Sequence, residues 1–440
     1  MQNLLSKLTH KRVLTVAIPI VLSNSTIPIL GAVDTAVVGQ LGEAVPIGAV
    51  GIGAIIITAI YWLFGFLRMG TTGLTAQAIG AGDKSETSAL LVRALIIGFG
   101  SGLFFIAVQM PLFWGALELA PASLEVEGLA QKYLHIRVYS APAAIALFGI
   151  SGWLIAKEKT RAVLWLQLWI NGINISLDFF FVLQLGWGVE GVAIATLIAE
   201  WSGLAFGLWI AREGFNKGYW RNWVQIFDRS RLLRMAKVNS DIMIRSILLE
   251  IGFVSFLFLG SSFDDATLAA NQVLLQFLNI TAYALDGFAF AAEALVGQAL
   301  GAKNRALFRK SAVMTSQWGV GSVVLMALAF FVFGDNIIHL MTTAEDVRAV
   351  SHEYLPWMIL APLVGVAAWM LDGIFIGATR TADMRNMMFI SFGIYLIALM
   401  VLLPIYGNHG LWASLIIFSI ARGVTLGVKY PRLEASADIE

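Results

Sequence analysis

Long apolar stretches alternate along this chain with short polar ones. Twelve are long enough to matter, near 13–38, 46–69, 88–111, 132–156, 161–184, 188–211, 236–260, 267–297, 311–334, 350–377, 384–406 and 410–428. Each reaches the roughly 20 residues with which a helix crosses a ~30 Å hydrocarbon core. The ~10-residue alternating segments of a membrane β-barrel are absent. The pattern predicts an all-α integral membrane protein of twelve transmembrane helices. The first stretch follows Lys7, Lys11 and Arg12 and so mimics a signal peptide. It is too long for an apolar signal core and shows no obvious cleavage site, so it reads as a retained span.

The pattern also repeats. Ala-Gln-Ala-Ile-Gly-Ala at 76–81 returns as Gly-Gln-Ala-Leu-Gly-Ala at 297–302, 221 positions on. At the same spacing, 152–160 answers 373–381, matching at Gly, Ile and Thr. Ala141-Pro142 recurs as Ala361-Pro362, and Gly188 with Gly191 as Gly407 with Gly410. The spacing is half the chain, so a unit of six spans is duplicated. This predicts an N-terminal six-helix lobe over 1–214, a basic linker over 215–235 and a C-terminal six-helix lobe over 236–440. An even number of spans per half makes the halves parallel, related by an axis along the membrane normal. Duplication on this scale in a membrane chain is the usual build of a transporter.

Composition agrees: 58% hydrophobic and 13% charged residues, against about 45–50% and 25% in soluble domains. Charge sets the orientation. With the N-terminus inside, 23 of the 29 Lys and Arg fall on the inner side, the last three counted with the C-terminal tail. The outer loops hold Arg348 and many acids, among them Glu43, Glu125, Asp264 and Glu345. The positive-inside rule then puts both termini of this multi-pass protein in the cytoplasm. The basic segment 212–237 reads as a solvated loop near anionic lipid.

Several functions are excluded. Cysteine is absent, so there is no disulfide framework and no thiolate metal site. Gly80-Ala81-Gly82-Asp83-Lys84-Ser85 lacks the Gly-Lys pair of a phosphate loop, and His352-Glu353 has no second His four positions on. Basic residues are spread over the inner loops, which gives no nucleic-acid patch. No nucleophile, base or metal constellation marks an enzyme, and no cofactor is implied.

The chemistry must therefore lie in polar groups within spans, where they are costly and face a cavity or one another. Asp34 stands in the first span, ~7 Å from its outer end. The fifth carries Gln167, Asn171, Asn174 and Asp178, whose steps of 4, 3 and 4 form one polar face. Asp34 and Asp178 are expected at similar depth in the outer half of the membrane. Tyr133 opens the fourth span, and Thr196 lies two turns into the sixth. Two nearby carboxyls in low dielectric do not both ionise easily, so one holds a proton near neutral pH, as a proton-coupled carrier requires. Gln167 and Asn171 read equally well as inter-helix glue.

The second copy does not keep the acids: 221 residues beyond Asp34 and Asp178 stand Ser255 and Leu399. It has its own charges within spans, namely Asp241, Arg245 and Glu250, then Asp286 and Glu293, then Asp372. Asp241 and Arg245 are four apart and are expected to pair. Asp286 and Asp372 are candidates to line a cavity. Pro19 and Pro28 each remove a backbone donor from the first helix and mark where it can bend.

At these residues the sequence resembles the multidrug and toxic compound extrusion (MATE) transporters, in their DinF-like prokaryotic branch. The resemblance covers almost the whole chain. Its most specific pieces are V-D-T-A-V-V-G-x-L-G (33–42), N-S-D-I-M-I-R-S (239–246), D-G-F-A-x-A-A-E-A-L-V-G (286–297) and D-G-x-F-I-G-A-T-R-T (372–381). It implies two six-helix bundles forming a V around a central cavity. It also implies monomeric export of organic cations or amphipathic drugs against inward flow of H⁺ or Na⁺. A coupling network in the family's first half maps onto Asp34, Tyr133, Asn174, Asp178 and Thr196, and the family's helix-1 bend onto Pro19. Glu250 and Asp372 resemble acids that norfloxacin-exporting relatives use in helices 7 and 10. The rival readings are a Na⁺-coupled exporter on the same acids and a lipid-linked glycan flippase of the same superfamily. A flippase would want a cationic cavity, whereas only Arg68, Arg93, Arg137 and Arg245 are expected to be buried. A channel is disfavoured by the unequal halves and the lack of a repeated filter.

Overall fold

The computed structural model describes residues 8–40, 42–118 and 122–438, and among these there is no strand. Twelve helices are long and apolar enough to cross a membrane. They are α1 (His10–Gly39), α2 (Ala44–Gly80), α3 (Lys84–Glu118), α4 (Leu124–Ala156), α5 (Thr160–Gln184), α6 (Gly188–Asn216), α7 (Arg229–Gly260), α8 (Asp265–Gly301), α9 (Arg305–Met341), α10 (Glu345–Gly377), α11 (Thr381–Tyr406) and α12 (Asn408–Ser436). Each contains the apolar stretch expected of it. The helices run to between 25 and 37 residues, because polar residues assigned to loops wind into their ends. Asp264 caps α8, accepting from Thr267 N at 2.9 Å and Thr267 Oγ1 at 2.8 Å. These bonds hold its carboxyl below the ordinary range.

The chain divides into two compact units. One contains Met1–Val21, Ala76–Gly82 and Met235–Glu440, the other Leu22–Thr75 and Asp83–Arg234. The first is centred on aromatic packing: Phe256 meets Trp412 edge-on at 4.5 Å and Phe277 meets Phe330 at 4.9 Å. In the second, Trp153 is fully buried and donates Nε1 to Thr87 O at 2.9 Å. Large apolar side chains left exposed, such as Ile55, Phe331 and Met400, suit a surface solvated by lipid.

Three helices of the second unit are irregular, which the sequence pattern had not indicated. α2 breaks at Leu63–Phe64, where Phe64 N and Leu67 N reach back only three residues to carbonyls. α4 tightens to a 3₁₀ turn at Val138–Ser140, just before Pro142, which has no N–H to continue the ladder. α5 widens to a π-helix over Phe179–Gln184, directly after Asp178. Such interruptions inside a membrane persist only where side chains or neighbouring backbone take up the freed groups, and π segments recur at functional sites.

The linker is not merely a solvated loop. Residues Ala211–Arg221 form 3₁₀ turns and Trp223–Ile226 a short helix. Arg93 of α3, itself buried, donates to Ile226 O at 2.8 Å and Gln225 O at 2.6 Å, and pairs with Glu86 at 2.6 Å. Arg231 pairs with the same Glu86. A buried guanidinium thus pins part of the basic segment to α3.

The repeat is visible in the backbone itself. Left-handed residues stand in pairs 221 apart: Gly82 with Lys303, Glu158 with Thr379, Gly186 with Gly407. Gly407 therefore answers Gly186 rather than Gly188, and Gly191 with Gly410 follows two residues out of step. Lys303, Glu158 and Thr379 end their helices with the same 6→1 bonds: Asn304 N to Ala299 O, Lys159 N to Leu154 O and Arg380 N to Phe375 O. The two copies of the glutamine-glycine motif also touch one another. A Cβ on Gly80 would lie 2.0 Å from Gln298 O, and one on Gly301 would lie 2.0 Å from Gln77 O. Gln77 Nε2 in turn donates to Gly377 O at 3.1 Å and Thr379 Oγ1 at 3.0 Å.

This contact leaves no room for a methyl group. Gly80→Ala and Gly301→Ala should each destabilise the protein by about 1–3 kcal/mol, whereas Gly393→Ala, with open space around it, should not. Thermal midpoints in detergent decide this; equal midpoints for all three would show that the helices separate freely here.

Candidate functional site

On α5 the polar residues share one face, as their spacing requires. Gln167 Nε2 donates to Asn171 Oδ1 at 2.9 Å. A turn further on, Asn174 lies between two carboxyls. With its amide nitrogen turned towards them, Nδ2 donates to Asp34 Oδ1 at 3.1 Å and to Asp178 Oδ2 at 3.2 Å. In that orientation Oδ1 accepts from Thr196 Oγ1 at 3.0 Å. Asn174, Asp178 and Thr196 are buried and Asp34 half-buried. Four of the five expected residues, from α1, α5 and α6, thus form one bonded cluster.

The geometry makes two charges costly here. The Asn174 amide nitrogen reaches an oxygen of each carboxyl, so Asp34 and Asp178 stand side by side. Asp178 Oδ1 is buried and receives no N–H. In a doubly ionised pair it would be a charged oxygen without a donor, which low dielectric penalises heavily. One proton on the pair removes that cost. The Asn174 amide can follow the proton count. Its opposite orientation gives Nδ2 to Thr196 Oγ1 at 3.0 Å and turns Oδ1 to the acids, where it accepts only from a protonated carboxyl. Thr196 can then donate its hydroxyl to Val192 O at 2.9 Å.

Tyr133 is buried beside this cluster. Its ring packs over Gly53, where a Cβ would come within 2.4 Å of Tyr133 Cδ1. Its phenol lies close to the Arg137 side chain, one turn further along α4. Arg137 is itself buried and holds Glu200 through two bonds, Nη1 to Oε2 at 3.0 Å and Nη2 to Oε1 at 3.1 Å. Nη1 also donates to Ser140 Oγ at 2.7 Å. Tyr61 OH donates to Arg137 O at 3.2 Å, closing the carbonyl that the 3₁₀ turn leaves free. An ion pair therefore sits where α2 and α4 are irregular, one residue removed from the acid pair through Tyr133. Glu200 was missed from the sequence, and Arg137 was expected to be buried but given no role. A signal existed: Arg137 follows Tyr133 by four residues, and Glu200 follows Thr196 by four, so each shares a helical face with a recognised residue.

The first compact unit gathers its charges differently. Asp372 of α10 lies between two buried guanidiniums: Arg422 Nη2 of α12 at 2.6 Å and Arg245 of α7, both on Oδ2. Arg422, counted with the tail, is inside α12 and buried, so the basic residues expected inside were too few. Asp241 does not pair with Arg245. It takes Arg385 Nη1 at 2.6 Å and Thr381 Oγ1 at 3.1 Å from α11. Shared helical face made the pair reachable, but partners on adjacent helices complete more bonds to each buried charge. Glu250 is exposed on α7. Asp286 is half-buried on α8, beside Gly287, where Ala17 and Val21 of α1 pack closely. Glu293 is buried.

Comparison with known proteins gives concordant matches. The model of the MatE family matches over 19–180 and again over 242–402, two stretches of nearly equal length. "DNA damage-inducible protein F" of Escherichia coli (strain K12) is 37% identical over 94% of this chain and 91% of its own. "Probable multidrug resistance protein NorM" of Bradyrhizobium diazoefficiens is 26% identical over 82% of this chain and 78% of its own. The bent form of the Vibrio cholerae MATE transporter VcmN superposes with a TM-score of 0.88 at 22% identity, covering 98% of both chains. A MOP superfamily transporter from Pyrococcus furiosus gives 0.85 at 17% identity, covering 98% of this chain and 97% of its own.

Removing one partner of a buried ion pair leaves an uncompensated charge, at a cost of about 3–5 kcal/mol, whereas replacing both with apolar residues is close to neutral. Glu200→Met alone should therefore lower the thermal midpoint more than Glu200→Met with Arg137→Met. A double variant less stable than the single would show that Arg137 serves the fold through its other bonds.

Proposed function

The chain belongs to the MatE family, and on that footing we propose that it exports organic cations or amphipathic drugs in exchange for H⁺ by alternating access. The cluster of Asp34, Asn174, Asp178 and Thr196 carries this reading. It is a buried pair of acids that accommodates one proton readily and two charges poorly, with an amide able to serve either state. The printed names of relatives and structural neighbours, which include multidrug resistance proteins and MATE transporters, support drug export.

In this reading the six-helix lobes 1–214 and 236–440 are the working parts and the basic segment 215–235 joins them. The outward-open carrier receives protons at Asp34 and Asp178. Neutralising both removes the demand for donors from Asn174 and weakens the hold on a cationic substrate. Pro19 is the place where α1 responds: it stands two residues before the helix passes from one compact unit into the other. Release of the proton on the inner side resets the pair, and a new substrate drives the return. Gln167 and Asn171 extend the polar face of α5 inward. Arg245, Asp241, Asp286, Glu250 and Asp372 supply polar or gating contacts in the second half. The protein works as a monomer in the prokaryotic inner membrane, with both termini in the cytoplasm and no cofactor besides the coupling ion. Na⁺ is the second reading, favoured by the donor set: two carboxyls, a hydroxyl and, in one orientation, an amide oxygen suit a hard cation.

Drug-driven H⁺ movement in liposomes tests the coupling. Wild type should move protons on addition of ethidium without Na⁺, and Asp34→Asn should lose at least about tenfold in rate. Dependence on Na⁺ would change the ion and keep the site; full activity in Asp34→Asn would sink the first-half coupling model. The natural lack of cysteine makes orientation measurable. A single cysteine at exposed Asn216 should react with an impermeant maleimide only in opened cells, and one at exposed Ser261 in intact cells; the reverse pattern would invert the topology.

A further inference from the structure

Apart from the acid pair, the first compact unit holds a cavity of about 160 Å³ where α1 begins and α8 ends. Its polar lining consists of Arg12, Gln298 and Ser311, and its apolar walls include Leu8, Ile79 and Leu295. No acid lines it. Arg12 Nη2 donates to Gln298 Oε1 at 3.2 Å, which fixes the guanidinium at the cavity. Ser311 is 1% exposed and its Oγ has no hydrogen-bond partner. Thr71, Thr75 and Ser351 are also buried without a partner, but none of them lines this cavity. Thr315, Ser391 and Ser414 each return their hydroxyl to the carbonyl four residues back, at 2.7–2.8 Å. Ser311 makes no such bond, so a buried hydroxyl is held open beside a guanidinium.

The exposed charges within two residues of lining positions are basic, while the buried acid Glu293 stands two residues before Leu295. Lys11, Lys303 and Arg309 are exposed and lie within two residues of lining positions. Basic pockets at the ends of membrane helices attract acidic headgroups, and guanidinium with hydroxyl is the donor set that a phosphate accepts from. Leucine and isoleucine walls suit an apolar substituent on that phosphate. A free cation is disfavoured by Arg12, and a neutral apolar molecule would leave Ser311 unsatisfied.

We propose that this cavity binds a phosphate anion carrying an apolar tail, the headgroup of an acidic phospholipid, with Arg12 and Ser311 as its donors. The site is separate from the acid pair and does not rest on the transport reading.

Native mass spectrometry of the full-length protein, titrated with phosphatidylglycerol, phosphatidylcholine or sodium phosphate, tests it. Wild type should retain phosphatidylglycerol at least about tenfold more tightly than phosphatidylcholine. Arg12→Gln and Ser311→Ala should each erase most of that preference. Arg309→Gln, which removes one exposed charge nearby, should change it less than about twofold. Ser311→Ala deletes a single atom, so a loss confined to a misfolded Arg12→Gln would not count as support. Equal retention of both lipids, or a preference unchanged in Ser311→Ala, overturns the proposal. Displacement of the lipid by millimolar phosphate, with the same dependence on Ser311, overturns the lipid assignment in favour of a free anion.

Discussion

Charge cannot be left alone inside a bilayer, and the placement of nearly every buried polar group described above follows from that. Ionised groups far from water need a partner of opposite sign, full hydrogen bonding or a proton. The chain uses all three. Arg137 is met by Glu200, Arg93 by Glu86, and Asp241 by Arg385. Asp372 is met by two guanidiniums at once. The exception is the pair of acids Asp34 and Asp178, where no base stands in direct contact and, in the proposed reading, a proton does the neutralising. The same rule that makes the other clusters rigid makes this one responsive.

The irregular backbone belongs to the same economy. A continuous helix leaves no carbonyl free inside the membrane. Where α4 interrupts its ladder, Tyr61 of α2 and Ser140 both donate to the freed carbonyl of Arg137. The π turn of α5 follows Asp178 without a gap, so the acid sits at the last regular turn of its helix. Polar side chains and backbone defects therefore lie together around the acid pair, whereas the helices of the first unit run unbroken.

Much of this was legible in the sequence. Twelve spans followed from apolar length alone, since nothing but a helix satisfies its own backbone in lipid. The cluster on α5 followed from spacing, because steps of three and four residues select one face of a helix. What spacing cannot supply is the partner on another helix. Asp241 and Arg245 share a face but bond elsewhere, and Arg422 was counted with the tail although the stretch 410–428 contains it. Glu200 was overlooked although it shares a face with Thr196. The breaks in α2 and α5 carry no mark in hydropathy, which averages over a turn or more; only Pro142 hints at the one in α4.

The mutual approach of Gly80 and Gly301 has the form of an isologous contact, the kind that identical subunits make across a two-fold axis. A chain of half this length could make it with a second copy of itself, each glycine facing the other's glutamine carbonyl. In such a dimer one codon would govern both sides, and every change would be felt twice. Fusion into a single chain gives each side its own codon. Gln77 now gives its amide nitrogen to Gly377 and Thr379, while Gln298 lends its oxygen to Arg12. The glycines stayed alike because they face backbone, which cannot change; the side chains around them were free to diverge.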